Sequence, residues 1–138
     1  MPEEKLLHSD VTELIIKAFY HVYNTLGYGF LEKVYENALK LTLEKWGLSV
    51  GQQVPIKVYF EGQQVGDYFA DLIVAGRVII EVKADEALHP AHEAQLVNYL
   101  RATDVEVGLL LNFGPKPEFR RKVFSNERKP TVTGKSGK

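Results

Sequence analysis

The chain has 138 residues, 45% of them apolar and 25% charged, with a formal net charge of −1. That is enough chain for one domain with a core of its own. The absence of cysteine excludes disulfides and thiolate metal sites. No apolar run approaches the roughly 18 residues that a membrane span needs. The acidic start, MPEEKLLHSD, lacks the apolar centre of a signal peptide, so a cytoplasmic protein without membrane contact is expected.

Asp10 followed by Glu13 is a capping-box-like start. Leu14, Ile15, Ala18, Phe19, Val22 and Leu26 then recur at helical spacing. Gly27 and Gly29 end that helix. A second helix is predicted over 30–46, with Leu31, Val34, Tyr35, Ala38, Leu39, Thr42 and Trp46 as its apolar stripe. Strands follow at 53–60, 67–74 and 78–83. Pro90 opens a helix to about Ala102, being well placed in a first turn. VEVGLLLNF, residues 105–113, is the apolar run of a strand covered on both faces. A short helix over 118–124 is a further expectation.

The order ααβββαβ implies an α/β sandwich: a mostly antiparallel meander, then a helix that crosses over to add one more strand. The predicted domain is 1–115. Residues 116–138 are read as a basic extension, partly disordered, carrying +6 against −7 for the rest. Within it TVTGKSGK reads as a solvated tail, while Arg120, Arg121 and Lys122 are candidates for holding a nucleic-acid backbone.

Chemistry is concentrated in YFADLIVAGRVIIEVKA, residues 68–84, where two acids lie inside apolar strands. Burying charge in this way is costly without compensation. A three-residue loop of Ala75, Gly76 and Arg77 would pair Val74 with Val78, Leu72 with Ile80, and Asp71 with Glu81. Two carboxylates facing each other across a ladder repel. Lys83 shares the face of Glu81 by the strand period of two and supplies one positive charge. A divalent cation such as Mg²⁺, which takes carboxylate oxygens and keeps water and phosphate as further ligands, would supply more. The alternative is a plain internal salt bridge of Lys83 with one of the acids; the second acid weighs against it.

On the following helix Gln95 and Tyr99 share a face at i, i+4. His89 and His92 flank its start, but no zinc-binding spacing is present. There is neither a GxxxxGK[ST] phosphate loop nor a G-x-S-x-G elbow.

The stretch from Gly29 through Glu32 to Tyr35 matches the G-x-x-E-x-x-Y signature of the GxxExxY family, with Gly29 and Tyr35 as its structural positions. YFADLIV, VIIEVKA, HEAQLVNYL and GLLLNFG resemble that family in the same order, over about residues 10–115. A histidine and a proline common just before the signature are absent from 22–29. The family is grouped with the PD-(D/E)XK nuclease-like superfamily. The resemblance implies a restriction-endonuclease-like core with a four-stranded mixed sheet flanked by helices. It implies a helical acid at Glu32, a strand acid at Asp71, an E-x-K at Glu81-Val82-Lys83, and a Q-x-x-x-Y at Gln95 and Tyr99. The implied activity is hydrolysis of DNA or RNA with Mg²⁺ or Mn²⁺ held by Asp71, Glu81, the Val82 carbonyl and Glu32. Lys83 would then stabilise developing charge, with Gln95 and Tyr99 as positioning groups. A non-catalytic nucleic-acid- or protein-binding module on the same fold is the competing expectation. Many small nucleases work as homo-oligomers, which leaves the oligomeric state open.

Overall fold

The structure, a computed structural model, describes residues 7–129. Helices α1 (Ser9–Leu26) and α2 (Glu32–Lys45) precede a three-stranded meander, β1 (Val50–Phe60), β2 (Gln63–Val74) and β3 (Val78–Lys83). Helix α3 (Pro90–Arg101) crosses to β4 (Val107–Phe113), and β5 (Pro117–Val123) closes the sheet. The five strands lie in sequence order; β3 and β4 are parallel and all other neighbours antiparallel. No helix among the described residues is long and apolar enough to cross a membrane.

Among the described residues the sheet therefore has five strands and not the expected four. The expected helix over 118–124 is β5, which pairs with all of β4 from Val107–Val123 to Phe113–Pro117. The reason is the open edge of β4. All seven residues of that strand are buried, so its unpaired backbone groups require a partner. Pro117, at the first position, removes no essential donor. The sheet thus runs past the expected boundary at residue 115. The disorder expected for the end of the chain falls on 130–138, outside the described residues.

One face of the sheet packs Leu72, Val74, Val78, Ile80, Val82, Leu109 and Leu111 beneath α1 and α2. The other packs Ile79 and Leu110 against Leu96, Tyr99 and Leu100 of α3. Helix α3 sits close to β4, and Gly108 makes room for it: a Cβ there would lie 2.7 Å from Leu96 Cδ1. The capping box expected at Asp10 does not form. Asp10 lies inside the first turn of α1, with its carboxylate 3.6 Å from Arg77.

Helix α2 is rotated from its expected stripe. Its buried residues are Tyr35, Glu36, Leu39 and Leu43, while Leu31 is 79% exposed. Tyr35 fixes the entry to this helix. Its hydroxyl donates to the Gly27 carbonyl at 2.5 Å and accepts from the Phe30 N–H at 3.1 Å. The chain between turns through Gly27 and Gly29 at φ 73° and 121°, values that favour glycine. The glycine and tyrosine of the signature are thus two halves of one brace.

Candidate active site

The β2–β3 hairpin has the expected register. Val74 pairs with Val78, Ile73 with Ile79 and Leu72 with Ile80, around the loop of Ala75, Gly76 and Arg77. Beyond Leu72 the ladder stops. In place of the next rung, the Asp71 N–H donates to Glu81 Oε2 at 2.9 Å, and the Val82 N–H donates to Asp71 Oδ2 at 2.8 Å. The carboxylates stand where carbonyls would be, and the two strands part. The Val82 carbonyl shares a strand edge with its N–H, so it opens onto the same gap.

The parting coincides with a change of face in β2. Leu72 belongs to the core beneath α1 and α2, yet Ala70, two residues earlier, belongs to the α3 core. Strict alternation would put both on one side. Across from Asp71, Gln53 adopts φ 51°, a left-handed conformation that costs a non-glycine residue of order 1 kcal/mol.

Glu81 is only 6% exposed. Burial, and then the charge of Asp71, push its pKa up to about 8. Asp71 is raised as well, first by burial, against the lowering effect of the Val82 N–H. Lys83 is half-buried and close enough for its charge to favour both ionised carboxylates. Among the described residues, however, it forms no ion pair or hydrogen bond. The plain internal salt bridge is therefore absent, and the amine is left uncommitted.

Tyr99 lies on the α3 side of the pair. Burial first, then the charges of Glu81 and Asp71, push its phenol up to about 12. Gln95 sits one turn earlier, half-buried. The structure thus brings Asp71, Glu81, Val82, Lys83 and Tyr99 together, with Gln95 beside them.

Glu32 is placed differently. It is exposed at the start of α2, and its charge acts on His92. The helical acid that reaches Asp71 is Glu36, 3% exposed. Glu36 Oε2 accepts from Lys33 Nζ at 3.1 Å, Gln52 Nε2 at 2.8 Å and Gln53 Nε2 at 2.9 Å. Gln53 Nε2 also reaches Asp71 Oδ1 at 3.3 Å, so one amide bridges the two acids. Glu36, Gln52 and Gln53 were not singled out from the sequence, nor was the fully buried Asn112. Asn112 Oδ1 accepts from the Asp85 N–H at 2.9 Å, and its Nδ2 donates to the Asp85 carbonyl at 3.0 Å. That pair of bonds pins the chain just after Lys83. A polar residue in the apolar run of β4 was the available signal.

The three basic candidates are split by the strand period. Lys122 Nζ is 2.6 Å from Glu93 Oε1, and Arg120 Nε is 3.8 Å from the same carboxylate. Arg121 instead donates to the Leu7 carbonyl at 2.7 Å. They do not form one patch. His89 and His92 cap α3, and His92 Nε2 lies 3.5 Å from Asp85.

Residues 9–122 match the sequence pattern of the PD-(D/E)XK nuclease superfamily. The chain belongs to that superfamily. PD-(D/E)XK proteins are generally nucleases acting on nucleic acid and typically use divalent metal ions. No curated protein matches the sequence significantly. The crystal structure of SSO0001 is similar, with a TM-score of 0.48 and 18% identity. The match covers 85% of this chain and 59% of SSO0001.

The donors at the parted rung fit the divalent ion of a PD-(D/E)XK centre. Asp71 and Glu81 each commit one oxygen to a backbone N–H. Glu81 Oε1 has no partner among the described residues, and Asp71 Oδ1 has only the long contact from Gln53. Among the described residues no three acidic or histidine side chains are arranged to hold a metal ion by themselves. Two carboxylates match an ion such as Mg²⁺, which keeps water and substrate oxygens in its shell and needs no all-protein cage.

Proposed function

We propose that the chain is a metal-dependent nuclease of the GxxExxY kind, hydrolysing phosphodiester bonds of DNA or RNA. The observation that carries the reading is the parted rung. Two carboxylates, Glu81 with one oxygen uncommitted and Asp71 with one held only by the 3.3 Å contact from Gln53, share a gap with an amine that forms no ion pair or hydrogen bond among the described residues. A plain salt bridge would have closed that gap.

Asp71, Glu81 and the Val82 carbonyl would hold Mg²⁺ or Mn²⁺. The ion would supply Lewis-acid stabilisation of the phosphate and lower the pKa of an attacking water. Lys83 stabilises the negative charge that builds on the phosphate in the transition state, an effect strengthened by partial burial. Gln95 orients the phosphate or the water. Tyr99, neutral at working pH, supports Gln95 and limits water on the α3 side. Glu36 acts through Gln53 to fix the Asp71 carboxylate. Glu32, at the outer rim, is better placed to act on His92.

Purified protein with Mn²⁺ should cleave at least one of single-stranded, duplex or branched DNA or RNA. Asp71→Ala and Lys83→Ala should each slow cleavage by about 10²–10³-fold, as expected when a group stabilising the transition state is lost. Mn²⁺ should also raise the melting temperature through linkage, and Asp71→Asn should remove that rise. Wild type and variants that behave alike in both assays would leave a non-catalytic module.

A further inference from the structure

A groove of about 620 Å³ lies between α3 and the outer half of the β1–β2 hairpin. Val58, Gly66 and Tyr68 form the hairpin wall, and Gln95, Asn98 and Arg101 line the helix. Tyr99 belongs both to this groove and to the candidate active site. The rings of Tyr68 and Tyr99 stand 5.8 Å apart, tilted by 44°. Tyr68 is half-exposed, so part of its face is open.

The cations of this face differ in what they hold. Arg120 and Lys122 are tied to Glu93. Arg101, in the groove, has no carboxylate partner among the described residues; its guanidinium lies 5.8 Å from the Phe124 ring. Arg128 packs on the same ring at 4.4 Å and also lacks a carboxylate. Arg101 is therefore a cation lining the groove without a carboxylate, unlike the paired Arg120 and Lys122 of β5.

The half-exposed Tyr68 ring offers a face for stacking over the buried Tyr99, two side-chain amides offer donors and acceptors for a base edge, and the Arg101 guanidinium suits a phosphate. A space of this volume admits a nucleotide but not a double helix. We propose that the groove holds an unpaired nucleotide of the substrate beside Asp71 and Glu81, which makes single strands and frayed ends the substrate class. This assignment rests on the nuclease reading.

Binding can be separated from cleavage by using the full chain in EDTA. The probes are a labelled twelve-residue thymidine oligonucleotide and a blunt duplex of equal length, followed by fluorescence anisotropy. The single strand should bind more tightly than the duplex. Tyr68→Ala should weaken single-strand binding about tenfold, the scale of one lost base–aromatic stack, and Tyr68→Phe should restore it. Ala94→Phe, at an exposed position lining the groove, should block binding to a similar extent. Arg101→Ala should reduce the salt slope by about one. Equal binding by wild type, Tyr68→Ala and Ala94→Phe would overturn the assignment, as would preference for the blunt duplex. A wild-type dimer that Ala94→Phe splits, with no strand binding, would overturn it in favour of self-association. Groove-dependent binding with no cleavage in Mn²⁺ would instead remove the nuclease reading and overturn the substrate assignment, leaving the groove as a single-strand binding site.

Discussion

The two halves of β2 live in different surroundings, and Asp71 marks their meeting. From Leu72 to Val74 the strand is paired on both edges, with β1 and with β3, and its side chains are sealed in the two cores. From Gln63 to Ala70 it pairs with β1 alone, and Tyr68 and Phe69 are half-exposed. Inside the first half a carboxylate would lack backbone donors, because the ladder uses them. Out in the second half it would be solvated and unperturbed. At the seam, donors are freed by the lost rung while burial is still high. An acid pair whose pKa values are both raised can be held there in reach of solvent.

The contrast can be broken at either end. Leu72→Ala, at a position with 0% exposure, should cost about 2–5 kcal/mol in urea unfolding, the usual range for a buried truncation that leaves a cavity. A loss under 1 kcal/mol would mean that the inner half is not the rigid side.

The seam itself should show in the pH dependence of the metal-free protein. Folding raises the Glu81 pKa from 4.5 to about 8, so the native state holds the proton more tightly than the unfolded chain. The contribution of Glu81 to stability is then most favourable below about pH 4.5 and falls as pH rises towards 8. At roughly 1.4 kcal/mol per unit the total loss is at most a few kcal/mol. Asp71 is shifted in the same direction and adds to the slope. Melting curves in EDTA should flatten between those pH values in Glu81→Gln, and an equal slope in that variant would refute the assignment.

The smallest effect is expected at the outer end. Phe69→Ala, 50% exposed, should change stability by less than about 1 kcal/mol. A larger loss would show that the hairpin arm carries packing of its own.

The acid pair was legible because its determinants are local. Gly76 lies midway between Asp71 and Glu81, and the loop length fixes which face each acid takes. That Gln95 and Tyr99 share a helix face was legible from their spacing, but a role for them came only from the family resemblance. Glu36 was not. Reading the stripe through Leu31 and Val34 turned α2 away from its true buried face, and the groups that stabilise a buried Glu36 come from Gln52 and Gln53 on another element. The β5 strand was hidden as well, since PEFRRKV has little apolar alternation and forms in answer to the edge of β4. The left-handed turn at Gln53 carries no glycine or asparagine to announce it. Which basic residues are neutralised depends on Glu93, more than twenty residues away in sequence.

Asn112 has a mechanical consequence. By gripping the backbone of Asp85, it welds the end of β3 to β4, and the Lys83 side of the cleft becomes an anvil. On the opposite side the β1–β2 arm leaves β3 at Asp71 and packs Ile56 and Ala70 against α3 instead. Lys83 is thus fixed through β4 and Asp71 through an arm seated on α3, two separate supports for one gap.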